Sequence, residues 1–471
     1  MIRYGISEGF HDASITVMED NEILFAAHSE RYSGIKNDKQ LNQELINDAL
    51  QFGRPDRIYY YERPWLKNLR RRIAGQKLKK NTIKQDLLDY GIKAPISYTT
   101  HHKSHAAAGM FTSPFTDSNI LCIDAIGEFT TTSIWNEKLK KRWSQRYPKS
   151  LGLFYSAITD RVGLKPMEDE YILMGMAAYG DPNRYYESMT HLLQENLHKG
   201  CHHYKKGHTL SYQDKMDMAA AAQKIYEEEF IKLLVKVKEK DTSNNLILMG
   251  GCALNCVANT KALEYFNNVW IMPNPGDAGS SLGAILAHTK KHVKFSPYLG
   301  HEITGYYPAQ DLLLELINTG IVGVANGRAE FGPRALGNRS LLADPRGKDI
   351  KERVNRIKKR QEFRPFAPVI LQEEAHKYFD MPCRETPFMQ YVVKCKRPDL
   401  FPAIVHKDGT SRVQTVTRGQ HPGLYQLLVA WRDKTGCPML LNTSLNIKGK
   451  PIVNTYEDGQ LFSKTYQIKV F

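Results

Sequence analysis

Apolar and polar positions alternate with a period near two at the start of the chain. IRYGIS reads as a strand, and HDASITVMEDNEILFAAHSER reads as strands broken by a polar turn at residues 19–21. The period then lengthens to that of a helix in KQLNQELINDALQFG, with Gly53 as its stop. DRIYYYE predicts another short strand, and the lysine- and arginine-rich stretch after it carries leucines and isoleucines at helical spacing. THHKSHAAAGMF predicts a helix start. NILCIDAIGEFTTTSIW predicts a strand, a glycine turn and a second strand, and a long helix is expected over residues 215–240.

Further on, a strand–loop–helix plan recurs. NNLILMGG is a buried strand running into a glycine turn, followed by the helix CALNCVANTKALEYF, and VWIMPNPGDAGSSLGAILAH repeats the arrangement. Such repetition predicts a duplicated α/β domain with ligand groups at the strand ends, where open sheets bind ligands. A Pro/Gly/Tyr-containing connector, SPYLGHEITGYYPAQ, precedes a second region in which helix and strand alternate amid dense arginines. It sets the expected division at 1–300 and 301–471.

Composition narrows the class. The 471 residues exceed what one core usually organises. The 42% apolar and 24% charged fractions are those of a globular protein rather than a disordered one. No apolar run approaches the roughly 18 residues a membrane span needs, and the N-terminus reads as a strand rather than a signal peptide, so no membrane association and a cytoplasmic location are expected. The seven cysteines are odd in number and lack zinc-finger spacing, which fits reduced thiols. Net charge is +15, concentrated over residues 63–84. A solvated basic face and an attraction to polyanions or phosphorylated substrates both account for it.

Three constellations carry candidate chemistry. In His101-His102-x-x-His105, the outer pair lies four residues apart and projects from one helix face, where two imidazoles can share a cation. Asp124 closes the apolar run ILCID and Asp277 sits in PNPGDAG. Each alone also fits a cap or turn, but together the four form a His2Asp2 set suited to iron(II), manganese or zinc. Gly250, Gly251 and Asn255, with Gly276 in the next loop, offer a close backbone approach and helix N–H donors for a nucleotide, or a plain tight turn. In GRAEFGPRALGNRSLLADPR, Arg328, Arg334, Arg339 and Arg346 sit among glycines and prolines, as planar forks for phosphate or carboxylate would. Lys358, Arg360, Arg364, Asn442, Ser444 and Asn446 follow.

In order and rough spacing, HDAS, SERYSGIK, HHKSHAA, LMGMAAYGDP, GGCALNC, PGDAGSSLGA, the arginine block, KKRQEFRPFAP and LLNTSLN resemble the O-carbamoyltransferases of the nodulation-factor and antibiotic-tailoring type along nearly the whole chain. The resemblance implies a duplicated ribonuclease-H/actin-like N-terminal domain and a C-terminal α/β domain similar to the threonylcarbamoyl-adenylate synthases (YrdC-like). It implies that the C-terminal domain condenses carbamoyl phosphate with ATP, the latter with magnesium, to carbamoyl adenylate and pyrophosphate, and that a hydroxyl then displaces AMP in the N-terminal domain. It further implies His101, His105, Asp124 and Asp277 as metal ligands, iron(II) foremost, with His11 and Lys36 assisting transfer. Gly250, Gly251, Asn255 and Gly276 would hold the adenylate. Arg328, Arg334, Arg339, Lys358, Arg360, Arg364, Asn442, Ser444 and Asn446 would hold carbamoyl phosphate and ATP.

Gln361 departs from the glutamate usual after the Lys-x-Arg pair, and DGQLFSKTYQIKVF lacks the tail of typical members, a compactness that suits a viral or streamlined genome and hence a host cytoplasm. The basic charge favours a phosphate-bearing acceptor, a hydroxymethylated pyrimidine nucleotide or DNA, over an antibiotic or sugar hydroxyl. A tRNA threonylcarbamoyl transferase and a non-enzymatic nucleotide- or DNA-binding protein are the readings from other classes. Relatives suggest a monomer or homodimer.

Overall fold

The computed structural model describes residues 1–240, 242–347 and 349–471. The chain divides into two compact units, Met1–Ser29 with Lys39–Phe295 and Glu30–Asp38 with Ser296–Phe471. The expected boundary at residue 300 therefore moves to 295/296. The segment Glu30–Asp38, assigned from sequence to the first domain, packs with the second.

In the first unit, β1 (Ile2–Ser7), β2 (Ser14–Glu19), β3 (Glu22–His28), β4 (Arg57–Tyr60) and β5 (Ile96–Tyr98) form a sheet of order β3-β2-β1-β4-β5. Its first three strands are antiparallel, and β4 and β5 run parallel to β1. β6 (Asn119–Gly127), β7 (Thr130–Asn136), β8 (Lys141–Arg146), β9 (Asn245–Met249) and β10 (Asn268–Ile271) form a second sheet of order β10-β9-β6-β7-β8. Here β6, β7 and β8 are antiparallel, and β9 and β10 extend the sheet in parallel from β6. The two sheets share one topology, which is the duplicated ribonuclease-H/actin-like fold. Residues 1–28 thus hold three strands, as the apolar alternation and the polar turn at residues 19–21 suggest.

Two buried helices, His101–Thr112 and Ser280–Thr289, pack against each other within this unit. A Cβ on Gly283 would fall 2.0 Å from the Ser104 carbonyl oxygen, so only a glycine lets the helices come this close. The small residues of SSLGAILA reflect that packing rather than helix propensity.

The second unit is mixed α/β. β11 (Tyr298–Ile303) pairs with β13 (Gly327–Glu330). The main sheet joins β12 (Ile321–Ala325), β14 (Arg339–Ala343), β15 (Ala367–Leu371), β18 (Gln414–Val416) and β19 (Met439–Ser444) in the order β12-β14-β19-β15-β18, with β16 (Val393–Lys394) and β17 (Thr410–Ser411) forming a small ribbon. All neighbours in the main sheet are antiparallel except β15 and β18. Val322, Val324, Leu341, Val369, Ile370 and Leu440 supply its core. Among the described residues, no helix is long and apolar enough to cross a membrane.

Candidate active site and metal centre

The helix His101–Thr112 begins with a ligand-type side chain at its first residue and places His105 one turn on, so both imidazoles point the same way. Asp124 arrives on β6 and Asp277 on the short turn before the helix Ser280–Thr289. His101 Nε2 lies 2.8 Å from Asp124 Oδ2 and 3.2 Å from Asp277 Oδ1. His105 Nε2 lies 3.6 Å from Asp124 Oδ2 and 3.3 Å from Asp277 Oδ1. All four residues are buried, with one donor atom of each within 4.8 Å of the others. Gly127 makes room for the first imidazole, since a Cβ there would sit 2.3 Å from the His101 ring.

Electrostatics fit a cation at this point. Burial by itself disfavours the charged form of His101, yet Asp277 and Asp124 outweigh it and hold the ring well above the usual histidine range. His105 is raised against the same burial penalty by bonds to both carboxylates. Burial would raise Asp124 and Asp277, but the imidazoles hold both well below the usual carboxylate range. Two nitrogens and two carboxylate oxygens suit iron(II), manganese or zinc, and one divalent ion would replace the protons that these groups otherwise share. His105 Nδ1 shares a 3.1 Å hydrogen bond with Ser280 Oγ, which fixes the ring and turns Nε2 inward.

The middle histidine of the motif belongs elsewhere. His102 bonds Ser133 on β7 at 2.7 Å, and burial pushes it down to about 3, a neutral packing residue. His11 does join the cluster. Its Nε2 is 3.7 Å from Asp277 Oδ2 and its Nδ1 donates to Asp12 Oδ2 at 2.9 Å. Against burial, Asp277 and then Asp12 raise it to about 9. Lys36 lies in Glu30–Asp38 and packs with the second unit, whereas His11 belongs to the first.

The glycine loops run beside the cluster. Gly250, at φ +90, comes so close to β6 that a Cβ would meet the Ile123 carbonyl at 2.2 Å. Gly251 approaches Asp124, and Gly276 approaches Gly251. Asn255 instead caps the helix Cys256–Tyr265, accepting from the Ala258 N–H at 3.1 Å, and donates to Gln223. Its role is in the fold of the loop. Glu62, which no motif singled out, lies 3.9 Å from His101 Nδ1 and 2.7 Å from Lys67.

In the second unit, Lys358 ends the helix Ile350–Lys358 and is buried. Its Nζ donates to Ser444 O at 2.6 Å, to Ser444 Oγ at 3.0 Å and to Asn446 Oδ1. Burial, then Arg360 and Arg364, hold this ammonium well below the usual lysine range. Arg360 donates to the carbonyls of Arg364 and Pro365 and lies over the Phe366 ring at 3.7 Å. Lys358, Arg360, Arg364, Ser444 and Asn446 therefore form one cationic cluster.

The arginine block divides by task. Arg339, expected from sequence to grip phosphate, is fully buried. It gives its guanidinium to the carbonyls of Asn454, Asn326, Gly327, Asn338 and His301. It is thereby a brace. Arg346 pairs with Asp344 and lies 5.6 Å over Trp431. Arg328 donates to Leu299 O at 2.7 Å, and Arg334 is half-buried. Asn442 turns into the sheet, donating to Gln414 Oε1 and Ala335 O. Glu330, unmarked in the sequence reading, organises the loop by accepting the N–H groups of Leu336, Asn338 and Arg339. An acid set among arginines, glycines and a proline was its one sequence signal.

Comparison with known proteins gives this architecture its class. Residues 61–286 match the family described as Carbamoyltransferase N-terminus, and residues 314–471 match Carbamoyltransferase C-terminus. The uncharacterized protein sll1178 of Synechocystis sp. is 33% identical, over 97% of this chain and 93% of its own length. Nodulation protein NolNO of Sinorhizobium fredii is 32% identical over 95% and 76%. The 3'-hydroxymethylcephem-O-carbamoyltransferase of Amycolatopsis lactamdurans is 28% identical over 97% and 95%. Fold, site and relatives together define a group-transfer enzyme. The chain belongs to the carbamoyltransferase family.

Proposed function

We propose that the protein is an ATP-dependent O-carbamoyltransferase whose two units divide the reaction. In the second, YrdC-like unit, water cleaves carbamoyl phosphate to carbamate and inorganic phosphate. A carbamate oxygen then attacks the α-phosphate of ATP and pyrophosphate leaves, giving carbamoyl adenylate. Lys358, Arg360 and Arg364 supply the positive charge that such a polyanionic transition state requires, and Ser444 and Asn446 hold the Lys358 ammonium in place. Arg328 and Arg334 complete the phosphate contacts, with magnesium accompanying ATP. Arg339 acts through the loop it braces.

In the first unit the acceptor hydroxyl attacks the carbamoyl carbon and the C–O bond to AMP breaks. His101, His105, Asp124 and Asp277 would hold an iron(II) ion, which as a Lewis acid supplies charge stabilisation at this step. His11, hydrogen-bonded to Asp12 and adjoining Asp277, would take the hydroxyl proton in its neutral form, which a cation beside Asp277 favours by offsetting the carboxylate that raises the imidazole. Gly250, Gly251 and Gly276 leave room for the adenylate. The acceptor is a phosphate-bearing alcohol of the hydroxymethylated pyrimidine type, a reading supported by the net charge of +15.

The observation that carries the proposal is the buried His2Asp2 cluster on an actin-like scaffold within a chain of this family. Mass spectrometry of acceptors incubated with enzyme, ATP, carbamoyl phosphate and iron(II) tests it. A 5-hydroxymethyl-dCMP product heavier by one carbamoyl group is expected. Carbamoylation of an aminoglycoside or another sugar hydroxyl instead would reassign the acceptor, and no carbamoylated product from any alcohol would overturn the reading.

A further inference from the structure

The loop of residues 9–12, between β1 and β2, carries His11 and is ringed by cations of the first unit. Its Gly9 N–H donates to Lys39 O at 2.7 Å, and Lys79 Nζ reaches Gly9 O at 3.4 Å. Lys67 Nζ stands 5.3 Å over the Phe10 ring, which in turn lies 4.8 Å from the His11 ring. Arg71 donates to Lys77 O at 2.6 Å and folds the basic loop back onto its helix.

Lys79 is held by design of the chain. Asn68 donates to its carbonyl at 2.7 Å and accepts its N–H at 3.0 Å, so the backbone that carries this ammonium is clamped on both sides. Burial, then Lys67, Arg71 and Lys39, push Lys79 below the usual lysine range against the smaller opposing pull of Glu62, so these three cations repel Lys79. The nearby acids offset this repulsion only in part, Asp12 being engaged with His11. Glu62 is spent on Lys67, and Asp86 accepts from Thr82. Burial and Asp86 raise Glu8 to about 7, leaving it about half-ionised at neutral pH. Lys39 and Lys79 are exposed, and Phe10 is 38% exposed.

We infer that Lys39, Arg71 and Lys79 form a subsite for a phosphate group carried by the acceptor, and that Phe10 offers a ring face to its planar base. An anion placed there relieves the mutual repulsion and stands beside the loop bearing His11. The inference rests on the proposed carbamoyl transfer and specifies its substrate class as a phosphate ester, whether a free nucleotide or a nucleic-acid strand.

Calorimetric titration of the full chain tests this with 5-hydroxymethyl-dCMP, the corresponding nucleoside, and a single-stranded oligonucleotide containing 5-hydroxymethylcytosine. Wild type should bind a phosphorylated probe at least ~10-fold tighter than the nucleoside, with an advantage that shrinks as salt rises. The exposed-site variant K39Q/R71Q/K79Q, checked for an unchanged melting temperature, should lose that advantage. Loss towards the mononucleotide identifies a free nucleotide as the acceptor, and loss confined to the oligonucleotide identifies the strand. Equal binding of nucleoside and phosphorylated probes, no binding of either phosphorylated probe, or an advantage kept by the variant would overturn the subsite. Pyrophosphate release by wild type from ATP and carbamoyl phosphate, measured alongside, reports separately on the underlying function.

Discussion

The Nε2 atoms of His101 and His105 face each other at 3.1 Å, and two buried carboxylates close the space around them. Like partial charges so arranged are stable only with shared protons or a bound cation. Replacing His105 with alanine should therefore strip the metal. We expect iron content, measured by mass spectrometry after loading under anaerobic conditions, to fall from about one per chain to near zero, with transfer down at least ~100-fold. Undiminished iron affinity in H105A would remove the cluster from the mechanism.

Arg339 predicts a loss of stability rather than of a ligand contact. Its removal takes a donor from five backbone carbonyls inside the second unit. R339A should lose about 3–5 kcal/mol in urea unfolding of that unit. A variant of wild-type stability that fails only in nucleotide binding would return Arg339 to the phosphate site.

His421 makes the second unit sensitive to acid. Its Nδ1 accepts the Leu424 N–H at 3.1 Å as a helix cap, so Nε2 carries the proton and donates to Asn338 Oδ1 at 2.8 Å. Burial lowers the group to about 4, against the weaker opposing pull of Glu330. The folded value lies below the unfolded one, so the contribution is complete above about pH 6.5 and declines as pH falls towards 4. Between pH 7 and 4.5 this costs on the order of 2–3 kcal/mol. H421N, which keeps a capping side chain without the titration, should show a correspondingly flatter stability profile by urea titration; an identical profile would argue against the assignment.

Much of this was readable from residue order. The spacing of His101 and His105, with Asp124 on a strand and Asp277 in a loop, was enough to assemble the cluster, because a helix face and strand ends have fixed geometry. The repeated strand–loop–helix plan anticipated the duplicated sheets. What could not be read was the direction of side chains decided by tertiary packing. Arg339 looks like Arg328 and Arg334 in the sequence but is turned inward, and Asn442 and Asn255 are consumed by their own loops. Lys36 follows His11 by 25 positions yet packs with the other unit, since a nine-residue excursion leaves no mark in local periodicity.

Gly283 shows how the packing supports the site. A side chain there would collide with Ser104 O and force apart the helices that carry His105 and Ser280. G283V should destabilise the first unit by at least ~2 kcal/mol and weaken iron binding in the same variant, as read by thermal melting and metal content. Wild-type values for both would show that the helix approach can relax.

The division of labour between the units is tested most directly by following pyrophosphate and AMP together in wild type, H105A and K358A. On the proposed function, activation depends on the buried Lys358 and transfer on the His2Asp2 cluster. Wild type with ATP, carbamoyl phosphate, iron(II) and 5-hydroxymethyl-dCMP should release both products. H105A should release pyrophosphate with little AMP, and K358A should release neither. Pyrophosphate formation that survives in K358A, or is lost in H105A, would contradict the account.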